Sequence, residues 1–166
     1  MSAPYKTLIL GLPRSMTYWT SRVLGFDHDV TVWPVSVPRP GACDTAFILL
    51  PREEQARYYD GGTKFVYLRR AEDEVRASLL RYFPEADPGA LSSALAATSS
   101  RLREFFAGRP HLELQAPLTP EGLSLLASYL NREPELPGWV EALAQRMDRM
   151  DDPLTLAELR ELFLKP

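Results

Sequence analysis

Short, continuous apolar runs recur along the first two thirds of the chain, and each one stops at a glycine, a proline or a charged residue. The run at 7–10 is closed by Gly11, and the run at 46–50 is closed by Pro51. Such runs are typical of strands that are buried on both faces. The pattern predicts strands at 7–10, 46–50 and 64–69, and shorter strands at 30–33 and 111–114.

Between these runs, apolar residues recur at helical spacing. Pro51, Pro88 and Pro120 open three of the helical segments, as expected from the preference of proline for the first turn of a helix. Several prolines interrupt the segment 27–44, which is therefore predicted to be irregular apart from the strand at 30–33. Helices are predicted from 17 to about 24, at 52–60, from 72 to about 83, from 88 to about 106, and at 120–130, 136–149 and 155–164.

Strands that alternate with helices indicate an α/β fold. We expect a three-layer sandwich with a small, mostly parallel sheet and a helical C-terminus. Its 166 residues suit a single domain over 1–166, with a core at about 6–132 and a helical extension at about 133–166. Ligands of such sheets bind beyond the carboxyl ends of the strands.

The composition narrows the class of protein. Hydrophobic residues make up 45% and charged residues 25% of the chain, which is ordinary for a globular protein. The single cysteine, Cys43, excludes an internal disulfide, and two histidines exclude a Cys/His zinc site of the usual kind, so no metal is expected. The sequence shows neither a membrane span nor a secretory signal, so we expect a cytoplasmic protein without a membrane partner.

The charge is unevenly distributed. The net charge of −3 disfavours nucleic acid as a partner, because nucleic-acid binders usually carry a basic excess. Residues 1–83 have a net charge of +2, however, and residues 84–166 have a net charge of −5. This asymmetry suits a small anionic ligand in the first half, and the alternative is drift of surface charge without a function.

The segment from Gly11 to Trp19 lies between the first strand and the first helix, where free backbone N–H groups and the positive end of a helix can hold a phosphate. It departs from the ATP-binding pattern G-x-x-x-x-G-K-[ST] at three positions, which are occupied by Met16, Thr17 and Tyr18. The bulky Tyr18 phenol is a poor substitute for a small hydroxyl on Mg²⁺. An ATP-Mg enzyme of this type is therefore disfavoured.

The same segment resembles the 5′-phosphosulfate loop of the sulfotransferase family, G-x-P-[KR]-S-G-T-[TS]-[WL]. In that family the basic residue, here Arg14, contacts the transferred sulfonate, and the hydroxyls, here Ser15 and Thr17, bind the 5′-phosphate. Trp19 corresponds to an aromatic residue that can stack on adenine. The resemblance implies a cofactor-binding set of Pro13, Arg14, Ser15, Met16, Thr17, Tyr18 and Trp19. The competing interpretation is an ordinary strand–turn–helix with a core tryptophan.

A second motif begins on the strand 64–69 and ends in the next helix. A strand-end arginine, Arg70, and a helix serine, Ser78, can converge on one anion. These residues resemble the sulfotransferase pattern [YF]-x-x-R-[ND]-x-x-D-x-x-x-S, which holds the 3′-phosphate of the cofactor, with departures at Ala71 and Glu74. The alternative is that the arginines at 69, 70 and 76 pair with the acids at 72–74 on a solvated helix start.

The resemblance covers residues 6 to about 132, including a weaker similarity at 111–114 and 123–130. It implies a P-loop NTPase-like, sulfotransferase-like fold, of the size of a small bacterial or phage-type member. It also implies 3′-phosphoadenosine-5′-phosphosulfate (PAPS) as cofactor and adenosine 3′,5′-bisphosphate as product.

Three features depart from that family. Met16 replaces the loop glycine, so that its side chain either narrows the pocket or forces a different loop shape. The run 46–50 offers no general base. The nearest candidates are His28, flanked by Asp27 and Asp29, and Asp44. His28 is otherwise a surface-loop histidine, and Asp44 otherwise forms a cap or a turn.

The third departure is the C-terminus, which lacks the family's glycine-rich segment. Its apolar residues suit either a core or a homodimer surface. They are Leu136, Trp139, Val140, Leu143, Met147, Leu154, Leu156, Leu159, Leu162 and Phe163.

These observations lead to three functional hypotheses. The first and main one is a PAPS-dependent sulfotransferase that acts on a hydroxyl or amine of an unidentified acceptor, with 27–45 as a lid on the acceptor side. Its predicted catalytic residues are Arg14, His28 and Asp44, and Arg70 and Ser78 bind the 3′-phosphate. The second is an inactive nucleotide-binding or protein-interaction module with the same fold. The third is a P-loop phosphotransferase.

Overall fold

A computed structural model describes residues 4–148 of the chain. Two compact units divide between Pro117 and Leu118. The first contains the sheet and the second is helical. The expectation of one domain over 1–166 stays a prediction.

The first unit is built on a five-stranded sheet in which all strands run parallel. The strand order is β2-β3-β1-β4-β5, so β1 lies at the centre between β3 and β4. All five residues of β1 are buried, as its unbroken apolar pattern predicts. The strands are β1 Thr7–Gly11, β2 Asp27–His28, β3 Gly41–Asp44, β4 Lys64–Arg69 and β5 Leu112–Gln115. The α/β class is thus confirmed, and the described sheet is parallel throughout.

Six α-helices accompany the sheet over residues 4–148. Those of the first unit are α1 Thr17–Leu24, α2 Arg52–Gln55, α3 Glu72–Tyr82 and α4 Pro88–Phe106, and those of the second are α5 Pro120–Leu130 and α6 Leu136–Asp148. The predicted starts of α4 and α5 are confirmed. Each has proline in its first turn and a capping side chain before it, Asp87 or Thr119, that accepts a hydrogen bond from a backbone N–H.

One face of the sheet carries the main hydrophobic core. Leu8 and Leu10 of β1 are at most 1% exposed and belong to one cluster with side chains of α3 and α4. Tyr67 of β4 stacks on Phe106 of α4 with 4.8 Å between ring centroids. This packing fixes α3, and therefore any side chain on its first turns, relative to the end of β1.

The predicted strand at 46–50 is wrong. Phe47–Leu49 is a 3₁₀ turn, and the strand lies earlier, at β3. Asp44 explains the difference, because its Oδ1 accepts hydrogen bonds from the N–H groups of Ala46 at 2.8 Å and Phe47 at 2.7 Å. This carboxylate ends the strand and starts a helical turn, in which Phe47 and Ile48 are buried.

The predicted strand at 30–33 is also wrong. The chain turns there because the N–H groups of Val32 and Trp33 donate to the Asp29 carbonyl at 3.0 and 2.8 Å. The strand of this region is β2, which pairs with β3 through only two residues. The helix predicted at 52–60 ends early, at Gln55.

In the second unit, α5 packs against α6. Trp139 and Leu143 of α6 are 4% and 3% exposed, so these two residues are core residues. The predicted helix at 155–164 lies outside the described residues, as do the side chain of Met147 and the apolar residues from Leu154 onward. The homodimer stays a prediction.

Within residues 4–148, none of the helices combines the length and the apolar character that crossing a bilayer requires. The same part of the chain holds no group of three histidine, cysteine or acidic side chains arranged to bind a metal ion.

Gly11 ends β1 opposite Leu68 of β4. A Cβ at Gly11 lies 2.6 Å from the Leu68 carbonyl oxygen, so a side chain here forces β1 and β4 apart. We therefore expect Gly11→Ala to lower the free energy of unfolding by about 2 kcal/mol, the usual cost of overpacking. The matched control is Gly61→Ala, since Gly61 has open space around it. Urea denaturation of both variants tests this, and equal midpoints contradict it.

Candidate functional site

Both sequence motifs lie at one crevice of the sheet. The strands β1 and β4 are neighbours in the sheet, but the connections that follow them run in opposite directions. The connection after β1 runs to the edge formed by β2, and the connection after β4 runs to the edge formed by β5. Connections that depart in opposite directions open a crevice at the carboxyl ends of adjacent parallel strands. The loop 12–16 follows β1 there, and Arg70 follows β4.

The loop after β1 has an unusual backbone. Arg14 and Met16 have φ angles of 64° and 65°, in the left-handed region that favours glycine. Left-handed residues that alternate with ordinary ones turn successive N–H groups to one side, which makes a cradle for an anion. Met16 thus adopts a glycine-like conformation at the N-cap of α1, and its side chain is buried. Its carbonyl accepts from the Thr20 hydroxyl at 2.8 Å, which helps to hold this conformation.

Ser15 lies between these two left-handed residues and is fully buried. Its hydroxyl is the one buried side-chain polar atom among the described residues that has no hydrogen-bond partner. An unpaired buried hydroxyl costs about 1 to 3 kcal/mol, so it is rarely retained without a reason. Such a hydroxyl can donate to an anion that the loop N–H groups also bind, so the residues present are of a kind that fits a phosphate or sulfate group.

Arg14 extends from the loop to α3. Its Nε donates to the Ser78 hydroxyl at 3.1 Å and its Nη2 to the Tyr82 hydroxyl at 3.1 Å, with the guanidinium 4.5 Å from the centre of the Tyr82 ring. Burial lowers the pKa of Arg14, Tyr82 opposes that shift, and the nearby charge of Arg70 adds to it. Tyr82 is not part of either sequence motif, and its position one helical turn after Ser78 on α3 is the signal that could have found it.

Arg70 closes the other side of the crevice. Its Nη1 donates to the Arg14 carbonyl oxygen, and its Nε lies 3.3 Å from Glu74, whose side chain is half exposed. The ion-pair alternative is therefore realised for Arg70 with Glu74 and for Arg76 with Asp73 at 3.5 Å. Arg69 instead pairs with Glu113 on β5 at 3.1 Å. Two guanidiniums and the Ser78 hydroxyl meet beside the loop, which makes a cationic site for an anion with more than one charge.

His28 lies at the end of β2 beside the first turn of α1. Its Nε2 is 3.5 Å from the Thr17 hydroxyl, its Nδ1 is 3.2 Å from Asp29 Oδ2, and its ring stands edge-to-face to Tyr18 at 5.2 Å. The side chain is only 16% exposed, so His28 is not a surface-loop histidine. Burial lowers the pKa of His28 to about 4, against the opposing effect of Asp44. The imidazole is therefore neutral at pH 7.

Asp44 was expected as an alternative base, and its surroundings argue against that role. It is 1% exposed and also accepts hydrogen bonds from the N–H and hydroxyl of Thr31, at 3.0 and 2.9 Å. Burial raises the pKa of Asp44, and the neighbouring Asp29 raises it further. With Ala46 and Phe47 also bound to it, Asp44 joins two turns, as in the cap-or-turn interpretation of the sequence.

Asp29 belongs to the site, although the sequence suggested it only as a neighbour of His28. Its backbone is left-handed, with φ 47°, and its Oδ1 accepts from the N–H and the hydroxyl of Thr45 at 2.9 and 3.2 Å. Its other oxygen faces His28. Asp27, the other acid beside His28, instead accepts from the hydroxyl of Tyr5 at 3.1 Å. The remaining residues of the predicted set, Pro13, Tyr18 and Trp19, are half-buried.

Comparison of this chain with models of protein families, with curated proteins and with solved structures gave no match.

Replacement of Ser15 distinguishes a role in ligand binding from a role in stabilising the fold. We expect Ser15→Ala to leave the free energy of unfolding of the unliganded protein unchanged or raised by about 1 kcal/mol, because it removes an unsatisfied polar group. The same change is expected to weaken adenosine 3′,5′-bisphosphate binding by about tenfold, as measured by calorimetry.

The control for that experiment is Ser21→Ala. The buried Ser21 hydroxyl donates to the Tyr18 carbonyl at 2.6 Å, so this variant is expected to lose stability, by about 1 kcal/mol. A Ser15→Ala protein that is destabilised as much as Ser21→Ala contradicts the ligand-binding role.

The depressed pKa of His28 predicts a pH-dependent stability. As pH falls from 6.5 to about 4, the unfolded chain takes up a proton on His28 and the folded chain does not. The contribution of His28 to the free energy of unfolding is therefore fully present above pH 6.5. It decreases by up to about 3 kcal/mol as the pH falls toward 4. Asp29 and Asp44 have raised pKa values and act in the opposite sense.

The difference between the wild type and His28→Gln isolates this effect. Denaturant titrations from pH 7 to pH 4 are expected to show a shallower loss of stability in the variant. The same pH dependence in both proteins contradicts the assignment.

Proposed function

We propose that this chain is a PAPS-dependent sulfotransferase that moves the sulfuryl group to a hydroxyl or amine of an acceptor. The observation that carries the proposal is the fully buried, unpartnered Ser15 hydroxyl between two left-handed loop residues. Arg14 and Arg70 lie beside it and supply positive charge. A ligand with a phosphosulfate and a second phosphate matches this arrangement of donors.

The proposal includes a P-loop NTPase-like fold for the first unit. Its supports are the parallel sheet, the anion-type loop between β1 and α1, and the crevice between β1 and β4. The sequence resemblance to sulfotransferases supplies the finer identity, and it rests on the matching positions of both motifs.

Each residue of the site has a role in this proposal. PAPS, when bound, supplies an activated sulfuryl group. The loop N–H groups, Ser15 and Thr17 bind its 5′ side, and Arg70 with Ser78 binds its 3′-phosphate. Arg14 balances the negative charge that develops as the sulfuryl group moves. Preorganised donors of this kind stabilise a transition state without reorganisation at the moment of reaction.

His28 is the candidate base of this reaction. It is neutral at pH 7, so its Nε2 has a lone pair for the acceptor's proton. Asp44, whose oxygens are held by turn N–H groups and Thr31, is not part of the mechanism we propose.

A second candidate, an inactive nucleotide-binding or interaction module, is favoured by one observation. The two arginines of the crevice are already hydrogen-bonded within the protein: Arg14 binds Ser78 and Tyr82, and Arg70 binds the Arg14 carbonyl. A site of this kind binds an anion only by exchanging these contacts. Turnover distinguishes this candidate from the first, and binding of ATP-Mg identifies the phosphotransferase alternative.

Calorimetric titration with adenosine 3′,5′-bisphosphate, PAPS and ATP-Mg tests the proposal. We expect preference for the two 3′-phosphorylated nucleotides and a weakening of about 10- to 100-fold in Arg70→Ala, which loses a charge-assisted contact. The matched control is Arg69→Ala, because Arg69 is the adjacent arginine but pairs with Glu113 at the β5 edge. It is expected to bind within about twofold of the wild type.

Absence of binding by all three nucleotides overturns the proposal, as does an equal effect of the two arginine substitutions. If the bisphosphate binds, its release from PAPS in the presence of phenols, alcohols and amines measures turnover. Binding without release from PAPS under any of these conditions supports the inactive module instead.

A further inference from the structure

A row of polar contacts, Thr17–His28–Asp29, connects the anion loop to a buried carboxylate. Thr17 is the first residue of α1, directly after the left-handed Met16, and it is 4% exposed. Its hydroxyl meets His28 Nε2, and His28 Nδ1 meets Asp29 Oδ2, at 3.5 and 3.2 Å. A hydroxyl, an imidazole and a carboxylate in this order form a path along which a proton can be passed.

The charge of Asp29 determines which tautomer of His28 is favoured. Asp29 Oδ2 lies 3.2 Å from Nδ1, and a carboxylate at this distance favours the neutral tautomer with the proton on Nδ1, which leaves a lone pair at Nε2. Thr17 has one hydroxyl proton, and it goes to that lone pair. The hydroxyl then has only lone pairs to offer toward the loop, and these repel an anion. In the unliganded protein, the Thr17 hydroxyl therefore has no proton left to donate to an anion at the loop.

We propose that anion binding at the loop is coupled to proton uptake by His28 through Thr17, with Asp29 as the positioning residue. A proton from the solvent adds to Nε2, which then donates to Thr17 Oγ1. The Thr17 hydroxyl proton turns to the bound anion. The only new covalent bond is the N–H bond at Nε2, which forms with a proton from the solvent. The O–H bond of Thr17 stays intact. The inference rests on the proposed function, since it concerns the same anion site. The proton is taken up only below the pKa of His28 in the complex, so above that pKa His28 stays neutral, as its role as base requires.

The charges around His28 favour this coupling. On α1 the ring faces Thr17 and Tyr18; on β3 it faces Cys43, its partner in the strand pairing, and Asp44; on its own segment it faces Asp29. Burial keeps the imidazole neutral in the free protein, with a pKa of about 4. A negative ligand at the loop adds a charge that stabilises the imidazolium and raises its pKa in the complex.

The sign of the pH dependence follows. Between about pH 4, the pKa of free His28, and the higher pKa of the complex, binding brings one proton with it, so the dissociation constant falls by up to tenfold for each unit of decrease in pH. Above the pKa of the complex His28 is neutral in both states, and below about pH 4 it is protonated in both, so the dissociation constant does not change with pH in either range.

Imidazole NMR of the full chain tests the proposal, because the sequence contains only two histidines, His28 and His111. The probe is sodium sulfate, which does not titrate over the range of about pH 5 to 8 in which histidine does. We expect the Nδ1–H tautomer of His28 without sulfate, and a rise in its pKa by at least about one unit with sulfate. His111, whose Nδ1 contacts the Arg109 carbonyl, serves as the internal control and is expected to be unchanged.

The variant Asp29→Asn distinguishes a positioning role from a structural one. Asparagine tolerates the left-handed backbone, and its carbonyl oxygen still accepts from Thr45. Its amide donates to Nδ1 and forces the proton to Nε2, which lets Thr17 donate to the anion without proton uptake. Sulfate binding by this variant is therefore expected to be nearly independent of pH, with the opposite tautomer of His28. Thr17→Val is expected to bind sulfate more weakly and to show a smaller rise in the His28 pKa.

Four results overturn the inference: no binding of sulfate, an unchanged pKa of His28 in the complex, the Nε2–H tautomer in the free wild type, or wild-type pH dependence in Asp29→Asn. A parallel titration with adenosine 3′,5′-bisphosphate separates this inference from the proposed function. If sulfate raises the pKa of His28 but the bisphosphate does not bind, the coupling stands and the sulfotransferase proposal fails. If the bisphosphate binds and His28 does not respond to either ligand, the coupling is wrong and the sulfotransferase proposal stands.

Discussion

The pairing of β1 with β3 on one side and β4 on the other is the constraint on which the rest of the first unit depends. It brings three carboxyl ends together and requires Gly11 at the point where β1 meets Leu68 of β4. The loop after β1 and the arginine after β4 then share one crevice. Because the central strand β1 is buried on both faces, this arrangement is held by the same apolar contacts that stabilise the fold.

Buried polar groups complete the site, and they divide into two kinds. Asp44 is satisfied by N–H groups of two turns and a threonine, so it serves the structure. Ser15 has no partner, and the Thr17 hydroxyl is directed toward His28. The first kind stabilises the fold, whereas the Ser15 hydroxyl is left unsatisfied within it. This difference in hydrogen bonding is the ground on which we propose the loop as the ligand site.

Helices and strands could be predicted from the sequence where their bounds depend on residues that are close together in the chain. The prolines of α4 and α5 and the apolar runs of β1 and β4 predicted these elements with nearly correct bounds. The prediction failed between 27 and 50, where the run Phe47-Ile48-Leu49 is as apolar as a strand. Its conformation is set by the Asp44 carboxylate and by the turn at Asp29, and neither interaction is visible in hydrophobic periodicity.

The sequence by itself determined the α/β class, the loop position and the identity of the loop and arginine residues, because these depend on contiguous segments and on the rule that parallel strands end at one edge. Only the tertiary structure decided which side chains meet. It placed Tyr82 beside Arg14, excluded Asp44 as a free carboxylate, and joined His28 to Thr17 and Asp29. The reason is physical: burial and hydrogen-bond partners depend on segments that are distant in the chain and become neighbours only when the sheet forms.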